Sequence, residues 1–279
     1  MIVSIASGKG GTGKTSVAVN MAISLGSNIQ LLDCDVEEPN AHLLLHPKII
    51  HEEPVYSLVP SINERLCDHC GKCAKFCPYN ALFVTPDEVL VFRELCHGCG
   101  GCILVCPKGA IAEGRHKIGK LSLGYANSVE IVYGELEVGE PMATPLIREV
   151  KRHMNKNRNV ILDAPPGASC PMVETVKNSD FCILVTEPTP FGLHDLKVAV
   201  HVLEDMNIPL GVIVNRAGIG DKKVYEYCEK KNIPILFEIP YQRKIAELYS
   251  KGIPFSLEIP GWKEKFRKLF NEVKVLAGK

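Results

Sequence analysis

The sequence predicts an α/β fold built on a parallel β-sheet, with a small cysteine-rich α+β domain inserted into it. Two observations predict the sheet. Apolar runs of strand length alternate with stretches of helical periodicity, as expected of strands covered on both faces. A glycine-rich loop also follows the first apolar run and precedes the first helical stretch. The insert is predicted because eight of the twelve cysteines fall between residues 57 and 117.

The predicted elements of the main domain follow the order of strand, helix and strand. The predicted strands are 2–7, 29–33, 159–163, 181–185, 210–214 and 233–239. Helical periodicity occupies 17–25, 193–206 and 222–231. Parallel strands need crossover connections, and these helical stretches supply them.

The cysteine-rich stretch also predicts the domain organisation. We expect residues 1–56 and 118–279 to form the two parts of the main domain and residues 57–117 to form the insert. The sheet-type apolar runs of the main domain disappear within this insert. Its flanks carry the Pro and Gly residues that are typical of turns.

The charge balance narrows the function classes. Lys plus Arg and Asp plus Glu each number 32 in 279 residues, so no overall positive field favours nucleic acid or anionic lipid. The first residues carry no basic segment before a long apolar stretch, and no apolar run has the length of a membrane span. A cytoplasmic location is therefore expected, without a nucleic-acid or membrane partner.

Two local features leave alternatives open. The basic segment 148–158 is either a nucleic-acid contact or, as the neutral charge balance favours, a solvated helix face. The C-terminal stretch has Trp262, Phe266 and Phe270 on one helical face and lysines elsewhere. That pattern fits a helix packed on the sheet, which we favour, or a membrane-targeting helix.

The glycine-rich loop predicts a nucleotide site. It matches G-x-x-x-x-G-K-[ST] between a predicted strand and a predicted helix, which is the context that the motif requires. Its glycines let backbone N–H groups surround phosphate, Lys14 reaches the β- and γ-phosphates, and the Thr15 hydroxyl ligates Mg²⁺. ATP or ADP with Mg²⁺ is therefore the expected ligand. The predicted contacts are Gly8, Lys9, Gly10, Gly11, Thr12, Gly13, Lys14, Thr15 and Ser16.

The additional lysine in KGGTGKT gives a resemblance to the MinD/ParA/nitrogenase iron protein class of ATPases, which have a deviant Walker A motif. The resemblance covers essentially the whole chain outside the insert. It implies a homodimer that sandwiches two nucleotides, in which Lys9 reaches the partner's phosphates. Asp33-Cys34-Asp35 resembles the first switch segment, so Asp35 is expected to position the attacking water. Asp163-Ala164-Pro165-Pro166-Gly167 resembles the Walker B and second switch segment, with Asp163 supporting Mg²⁺.

The resemblance also extends to the base of the nucleotide. Asn215 in VIVNRAG resembles the residue that recognises the adenine edge, and Pro240 lies in the loop that packs on the base. Lys9, Lys14, Asp35 and Asp163 are thus the expected catalytic residues. An Asn after a strand is also a common turn residue, which is the plainer interpretation of Asn215.

The insert contains a repeat offset by 29 residues, and each half has the spacing C-x-x-C-x-x-C-x-x-x-C-P. This is the run of bacterial ferredoxins, in which the fourth cysteine ligates the other cluster. We expect two [4Fe–4S] clusters. The first would be held by Cys67, Cys70, Cys73 and Cys106, and the second by Cys96, Cys99, Cys102 and Cys77. Two zinc sites are the alternative, but zinc does not explain the third cysteine, the proline or the duplication.

The four other cysteines are interpreted separately. Cys34, Cys182 and Cys228 lie in strand and helix patterns and are expected to be small buried apolar residues. Cys170 follows Asp163 by seven residues, near where the nitrogenase iron protein carries a cluster cysteine. No second cysteine is suitably placed, so a structural or redox role is favoured over a third metal site.

These expectations combine into one function and two alternatives. The leading hypothesis is a Mg-ATP-dependent dimeric ATPase coupled to two [4Fe–4S] clusters, acting in electron transfer or in iron–sulfur or metallocofactor assembly. Its redox or acceptor protein is not identified by the sequence. One alternative is a positioning or partition ATPase whose clusters sense redox state. The other is an electron-carrying module that binds nucleotide without hydrolysing it.

Overall fold

The computed structural model describes the whole chain, Met1–Lys279, and the chain forms two compact units. The nucleotide unit comprises Met1–Glu53, Leu121–Glu135 and Leu146–Lys279. The cysteine unit comprises Pro54–Lys120 and Leu136–Pro145. Both names refer to these residues throughout.

The strands are β1 (Ile2–Ala6), β2 (Ile29–Asp33), β3 (Lys48–Ile62), β4 (Leu82–Val84), β5 (Val89–Val91), β6 (Ile111–Ala126), β7 (Val129–Leu136), β8 (Asn159–Asp163), β9 (Phe181–Thr186), β10 (Leu210–Ala217) and β11 (Ile235–Pro240). The helices are α1 (Lys14–Leu25), α2 (Ala41–Leu45), α3 (Lys72–Phe76), α4 (Gly101–Leu104), α5 (Thr144–Arg152), α6 (Cys170–Val176), α7 (Pro190–Asp205), α8 (Lys223–Lys230), α9 (Arg243–Ser250), α10 (Phe255–Glu258) and α11 (Trp262–Leu276). A 3₁₀ turn spans Arg93–Leu95.

The main sheet has the strand order β11-β10-β9-β1-β8-β2-β7-β6-β3. The pairings from β11 to β7 are parallel, so the predicted α/β fold with a mainly parallel sheet is confirmed. The order brings functional strand ends together, because β1 precedes the glycine-rich loop and pairs with β8. In turn β8 pairs with β2, and Asp33 lies opposite Asp163 in that register.

Successive side chains of each strand point to opposite faces of the sheet. In the nucleotide unit both of these faces are covered. Val3 and Ile5 of β1 pack into the core beneath α1, α2, α10 and α11. Ala6 packs into the opposite core with residues from α6, α7 and α8. This alternation explains why the sequence shows unbroken apolar runs, since both faces of each strand are buried.

The insert contains strands although its sequence lacks the unbroken apolar runs of the main domain. The end of β3 and the beginning of β6 lie within residues 57–117, and β4 pairs antiparallel with β5 there. Along β3 only Val55, Val59 and Pro60 are buried, and the positions around them are exposed or half-buried. Half-buried strands of this kind contain no continuous apolar run.

The segment Leu136–Pro145 also differs from the expected domain bounds, because it belongs to the cysteine unit although the sequence assigned it to the main domain. It is held there by pairs that are far apart along the chain. His116 Nε2 lies 2.5 Å from the Glu140 carboxylate, and Lys117 Nζ lies 2.5 Å from that of Glu137. The Glu137 N–H also donates to the Ile118 carbonyl.

The amphipathic C-terminal stretch forms α11, and its apolar face is used inside the fold. Trp262, Phe266, Leu269, Phe270 and Val273 are each at most 4% exposed. Phe255 and Phe237 surround Trp262 with edge-on ring contacts at 4.8 and 5.6 Å. This agrees with the packed-helix alternative. No helix of the chain combines the length and apolar character needed to cross a bilayer.

The packing of α11 gives a stability prediction. Phe266→Ala removes a fully buried ring and should lower the free energy of unfolding of the nucleotide unit by about 3–5 kcal/mol. Val275→Ala in the same helix is the matched control, because Val275 is 76% exposed. Urea unfolding followed by circular dichroism measures both. Equal effects of the two substitutions would contradict the buried role of this face.

Candidate functional site

The glycine-rich loop connects β1 to the first turn of α1. Gly11 and Gly13 have φ values of 75° and 95°, in the left-handed region that glycine adopts without strain. Lys14 and Thr15 begin α1 and are 6% and 7% exposed. No side chain caps this helix, so its first N–H groups and its positive dipole end remain available for an anion.

Two glycines of this loop also permit close packing. A Cβ on Gly8 would lie 2.2 Å from the Asp195 carbonyl oxygen, so the loop packs directly on the backbone of α7. A Cβ on Gly13 would lie 2.5 Å from the Asn215 amide nitrogen. That Nδ2 donates to the Thr12 carbonyl at 2.7 Å. Asn215 therefore fixes the loop from the end of β10.

Three carboxylates, those of Asp33, Asp35 and Asp163, lie at the carboxyl ends of β2 and β8, and Lys14 acts on the last two. Asp33 accepts hydrogen bonds from the N–H groups of Asp35, Asn40 and Ala41 at 3.1, 3.0 and 2.9 Å. It thereby holds the turn that carries Asp35. Both carboxylate oxygens of Asp163 are buried without a hydrogen-bond partner, although polar groups that deeply buried are nearly always paired.

The electrostatics of these carboxylates have a common cause. Burial raises the pKa of Asp163 well above its ordinary value and is reinforced by Asp33, whereas Lys14 and Thr15 oppose it. Burial and the neighbouring Asp33 raise the pKa of Asp35 to about 7, while Lys14 lowers it. Burial also raises the pKa of Asp33 against its backbone hydrogen bonds. Unpartnered carboxylate oxygens beside a hydroxyl are the hard oxygen ligands that suit Mg²⁺, so these residues fit the expected cation.

A cavity of about 300 Å³ opens beside the glycine-rich loop. Two residues expected at the nucleotide base, Asn215 and Pro240, line it. Tyr241, which follows Pro240 in the loop expected to pack on the base, lines it too, as does Arg216, which the sequence analysis did not single out. The Asn215 amide is already engaged, because Oδ1 accepts the Arg216 N–H at 2.9 Å and Nδ2 donates to Thr12. Recognition of adenine by Asn215 stays a prediction.

Lys9 is not free in this chain. Its Nζ lies 3.3 Å from Glu187, whose other carboxylate oxygen lies 2.7 Å from the Arg216 guanidinium. Sequence reasoning missed Glu187 and Arg216. The signal was nevertheless present, since Glu187 immediately follows β9 and Arg216 ends β10, and polar residues at the carboxyl ends of parallel strands are where such sheets bind ligands.

The predicted cysteine quartets each line one cavity of the cysteine unit. The first cavity is lined by Cys67, Cys70, Cys73 and Cys106. The second is lined by Cys77, Cys96, Cys99 and Cys102. All eight are free thiols, and none is fully buried. The fourth cysteine of each run therefore faces the cavity of the opposite run, so the donor sets suit thiolate-bound clusters.

The 29-residue repeat is visible in the backbone as well. Positive φ values recur at His69 and Gly98, at Gly71 and Gly100, and at Asn80 and Gly109. The short helices α3 and α4 begin after the second of these positions in each half. The two halves thus wrap their cavities with the same sequence of turns, which the cysteine spacing alone could not reveal.

The remaining cysteines are divided by burial. Cys34, Cys182 and Cys228 are fully buried, as expected of small apolar residues. Burial raises the pKa of Cys182 to about 12 and that of Cys228 to about 11, so both stay protonated thiols. Cys170 is exposed at the start of α6, and its role stays undecided.

The nucleotide fold can now be compared with known proteins. Residues 3–255 match the family described as the CobQ/CobB/MinD/ParA nucleotide binding domain. The chain belongs to this family. Its fold is therefore the mostly parallel nucleotide-binding fold of MinD/ParA ATPases, as the resemblance implied.

Individual relatives and solved structures agree with this assignment. An uncharacterized protein of Methanocaldococcus jannaschii is 33% identical, with 91% of each chain covered. The iron-sulfur cluster carrier protein of Pyrococcus abyssi is 25% identical, over 99% of this chain and 88% of that one. The structure of the septum site-determining protein MinD of Pyrococcus horikoshii, complexed with Mg-ADP, superposes with a TM-score of 0.59 at 22% identity, covering 99% of this chain and 97% of that one.

The raised pKa values predict how Mg²⁺ binding depends on pH. Asp35 keeps its proton up to about pH 7 in the folded chain but releases it near pH 4 when unfolded. This group therefore costs stability as the pH rises through that window, and a bound cation removes the cost. Millimolar Mg²⁺ should raise the melting temperature more at pH 8 than at pH 5.5.

Differential scanning fluorimetry measures this increment. Asp163→Asn, which removes a carboxylate whose oxygens lack partners, should abolish most of it at pH 8. Glu258→Gln, on the short helix α10, is the control and should leave it unchanged. An equal increment at both pH values would contradict a magnesium site made of these carboxylates.

Proposed function

We propose that this MinD/ParA family member is a Mg-ATP-dependent ATPase that acts as a nucleotide-sandwich homodimer and carries two [4Fe–4S] clusters in the cysteine unit. The observation that carries the proposal is the pairing of a complete phosphate-binding loop with two separate cysteine-lined cavities in one chain. Its function would be electron transfer or the assembly of iron–sulfur or other metallocofactors, with a redox or acceptor protein as partner.

In the proposed reaction each residue has one role. Lys14 and the first N–H groups of α1 bind the phosphates, and Thr15 and Asp163 hold Mg²⁺, whose charge offsets that developing on the transferred phosphoryl group. Asp35 orients the attacking water through a carboxylate fixed by the Asp33 turn. Lys9 acts in the partner subunit, as in the deviant Walker A class that the sequence resembles.

For the clusters, the proposal assigns Cys67, Cys70, Cys73 and Cys106 to one and Cys96, Cys99, Cys102 and Cys77 to the other. Such clusters supply one-electron transfer when bound. The third closely spaced cysteine of each run, the proline that follows the run and the duplication support this assignment over zinc, whose cysteine ligands come in two pairs. Each cavity has four cysteines, and the fourth comes from the other run.

The choice of cellular function rests on the names of the relatives and on the packing of α11. Relatives covering nearly the whole chain are named iron-sulfur cluster carrier proteins, which favours assembly or electron delivery. The positioning alternative draws support from the MinD structures. It is disfavoured because the apolar face of α11, which a membrane-targeting helix would need, is buried.

The test of the whole proposal is ATP hydrolysis by anaerobically purified chain with its clusters oxidised and reduced. The ATPase proposal predicts Mg²⁺-dependent turnover, and coupling predicts a rate that differs between the two redox states. Tight ATP binding without turnover in either state would favour the module with non-hydrolysed nucleotide. Turnover that is the same in both states would favour an uncoupled ATPase.

The cluster assignment predicts a metal content and a pattern of loss. Anaerobically isolated chain should contain about eight iron and eight acid-labile sulfide, since each quartet holds one cubane. Cys67→Ser with Cys106→Ser removes two ligands of one cluster and should leave about four iron and four sulfide. Zinc without sulfide would end the cluster proposal.

A matched control variant tests whether the fourth cysteine of each run ligates the cluster of the other run. Cys67→Ser with Cys77→Ser removes one ligand from each crossed cluster, so neither should remain intact. If each cysteine run held its own cluster, this second variant would instead keep one complete cluster and the first variant would damage both. Iron and sulfide analysis with electron paramagnetic resonance of the reduced protein distinguishes the two patterns.

The sandwich dimer predicts separate roles for two lysines. Lys9→Ala should leave ATP affinity within about threefold while hydrolysis falls by about two orders of magnitude or more, because the residue acts on the partner's phosphates. Lys14→Ala should lose binding itself. Lys223→Ala, at an exposed position of α8, is the control. Normal turnover by Lys9→Ala would contradict the sandwich arrangement.

A further inference from the structure

The carboxylate of Glu187 bridges two cations at the nucleotide site. One oxygen faces Lys9 of the glycine-rich loop at 3.3 Å, and the other faces Arg216 at the end of β10 at 2.7 Å. Glu187 is 5% exposed, whereas the Lys9 and Arg216 side chains are 32% and 47% exposed. A carboxylate this deeply buried needs a compensating charge. Here two cations share the carboxylate, one at each oxygen.

The position of Glu187 is fixed by its backbone. A Cβ on Gly192 would lie 2.2 Å from the Glu187 carbonyl oxygen, and one on Gly220 would lie 1.7 Å from that of Pro188. The Thr189 N–H donates to the Glu187 carbonyl at 2.8 Å, and Thr189 also caps α7 through the Gly192 N–H at 3.0 Å. The backbone of Glu187 is therefore constrained, whereas the Lys9 and Arg216 side chains are long and partly exposed.

We infer that Glu187 is a positioning residue that retains Lys9 in the free subunit and releases it when the nucleotide of a second copy is presented. The inference rests on the proposed sandwich dimer, in which Lys9 must leave its own subunit to reach the partner's phosphates. A triphosphate is a stronger anion for the Lys9 ammonium than a carboxylate that Arg216 already shares.

Arg216 makes the release inexpensive in free energy. Removing the only partner of a buried charge is strongly destabilising, because the remaining charge is left unpaired. When Lys9 departs, however, the Glu187 carboxylate keeps its closer partner, the Arg216 guanidinium at 2.7 Å. Glu187 and Arg216 thus have opposite effects on dimerisation, since the first holds Lys9 back and the second allows it to go.

The opposite effects of Glu187 and Arg216 on dimerisation distinguish a positioning role of Glu187 from a purely structural one. Glu187→Gln keeps the size of the side chain but removes its charge, so it should tighten dimerisation with a non-hydrolysable ATP analogue by about tenfold, each dimer containing two such pairs. Arg216→Gln leaves Lys9 as the sole partner of Glu187 and should weaken dimerisation by a similar factor. The double variant should resemble Glu187→Gln, because without the carboxylate Arg216 has nothing to compensate.

Sedimentation velocity of the cluster-loaded full chain measures the dissociation constant of each variant. Glu204→Gln is the matched control, because Glu204 forms an exposed pair with Lys231 on the nucleotide unit. If Glu187→Gln fails to fold, Arg216→Gln alone still decides the matter, since an unchanged or tighter dimer would overturn the inference. Weakening by both single variants would assign the trio a purely structural role and would also overturn it.

Failure of the inference is separable from failure of the proposed function. If the wild-type chain does not associate with the ATP analogue, the sandwich dimer is wrong and the inference falls with it. If the wild type associates and Lys9→Ala does not, the dimer stands. In that case a Glu187→Gln chain that associates no more tightly than wild type overturns the positioning role alone.

Discussion

The structure of the nucleotide unit depends on one electrostatic constraint, which is the burial of several carboxylates at one edge of the sheet. Asp33 and Asp163 lie opposite each other on neighbouring parallel strands, and Asp35 follows on the turn that Asp33 holds. Lys14, Thr15 and the backbone N–H groups that donate to Asp33 oppose the effect of burial, but burial still raises all three pKa values. The glycine-rich loop, the start of α1 and the strand order are arranged around this excess of negative charge. In the proposed function this negative charge is what Mg²⁺ would offset when it binds together with the phosphates.

The features that could be predicted from the sequence are those that a local sequence pattern reveals. The strands, the phosphate loop and the cysteine quartets each depend on spacing within about 30 residues or on a run of one residue type. Glu187 escaped notice because its role depends on Lys9, 178 residues earlier. The segment Leu136–Pro145 was misplaced for a similar reason, since ion pairs to residues distant in sequence determine where it belongs. The strand β3 was missed because it contains no continuous apolar run.

The repeat in the cysteine unit preserves its backbone while changing the side chains beside each cavity. Lys108 and Asp68 line the first cavity and form an ion pair at 3.9 Å. At the positions related by 29 residues, Tyr79 and His97 line the second cavity and stack at 3.7 Å. The same turns therefore present a polar pair to one quartet and an aromatic pair to the other. Because hydrogen bonding and exposure set the potentials of iron–sulfur clusters, clusters bound by these quartets would not be equivalent.

The nucleotide unit also contains a continuous route away from the Asp163 loop. That loop leads into α6, and the Lys151 ammonium of α5 donates to the Glu174, Thr175 and Lys177 carbonyls at the C-terminal end of α6. Arg148 of α5 adds an ion pair to Glu174 at 3.1 Å. The chain that enters α5 is the segment Leu136–Pro145, which belongs to the cysteine unit. These contacts couple the Asp163 loop to the start of α5 only if α5 and α6 adopt different arrangements in different nucleotide states. Lys151 ties the two helices together, because its three hydrogen bonds to carbonyls must break before α6 can move independently of α5.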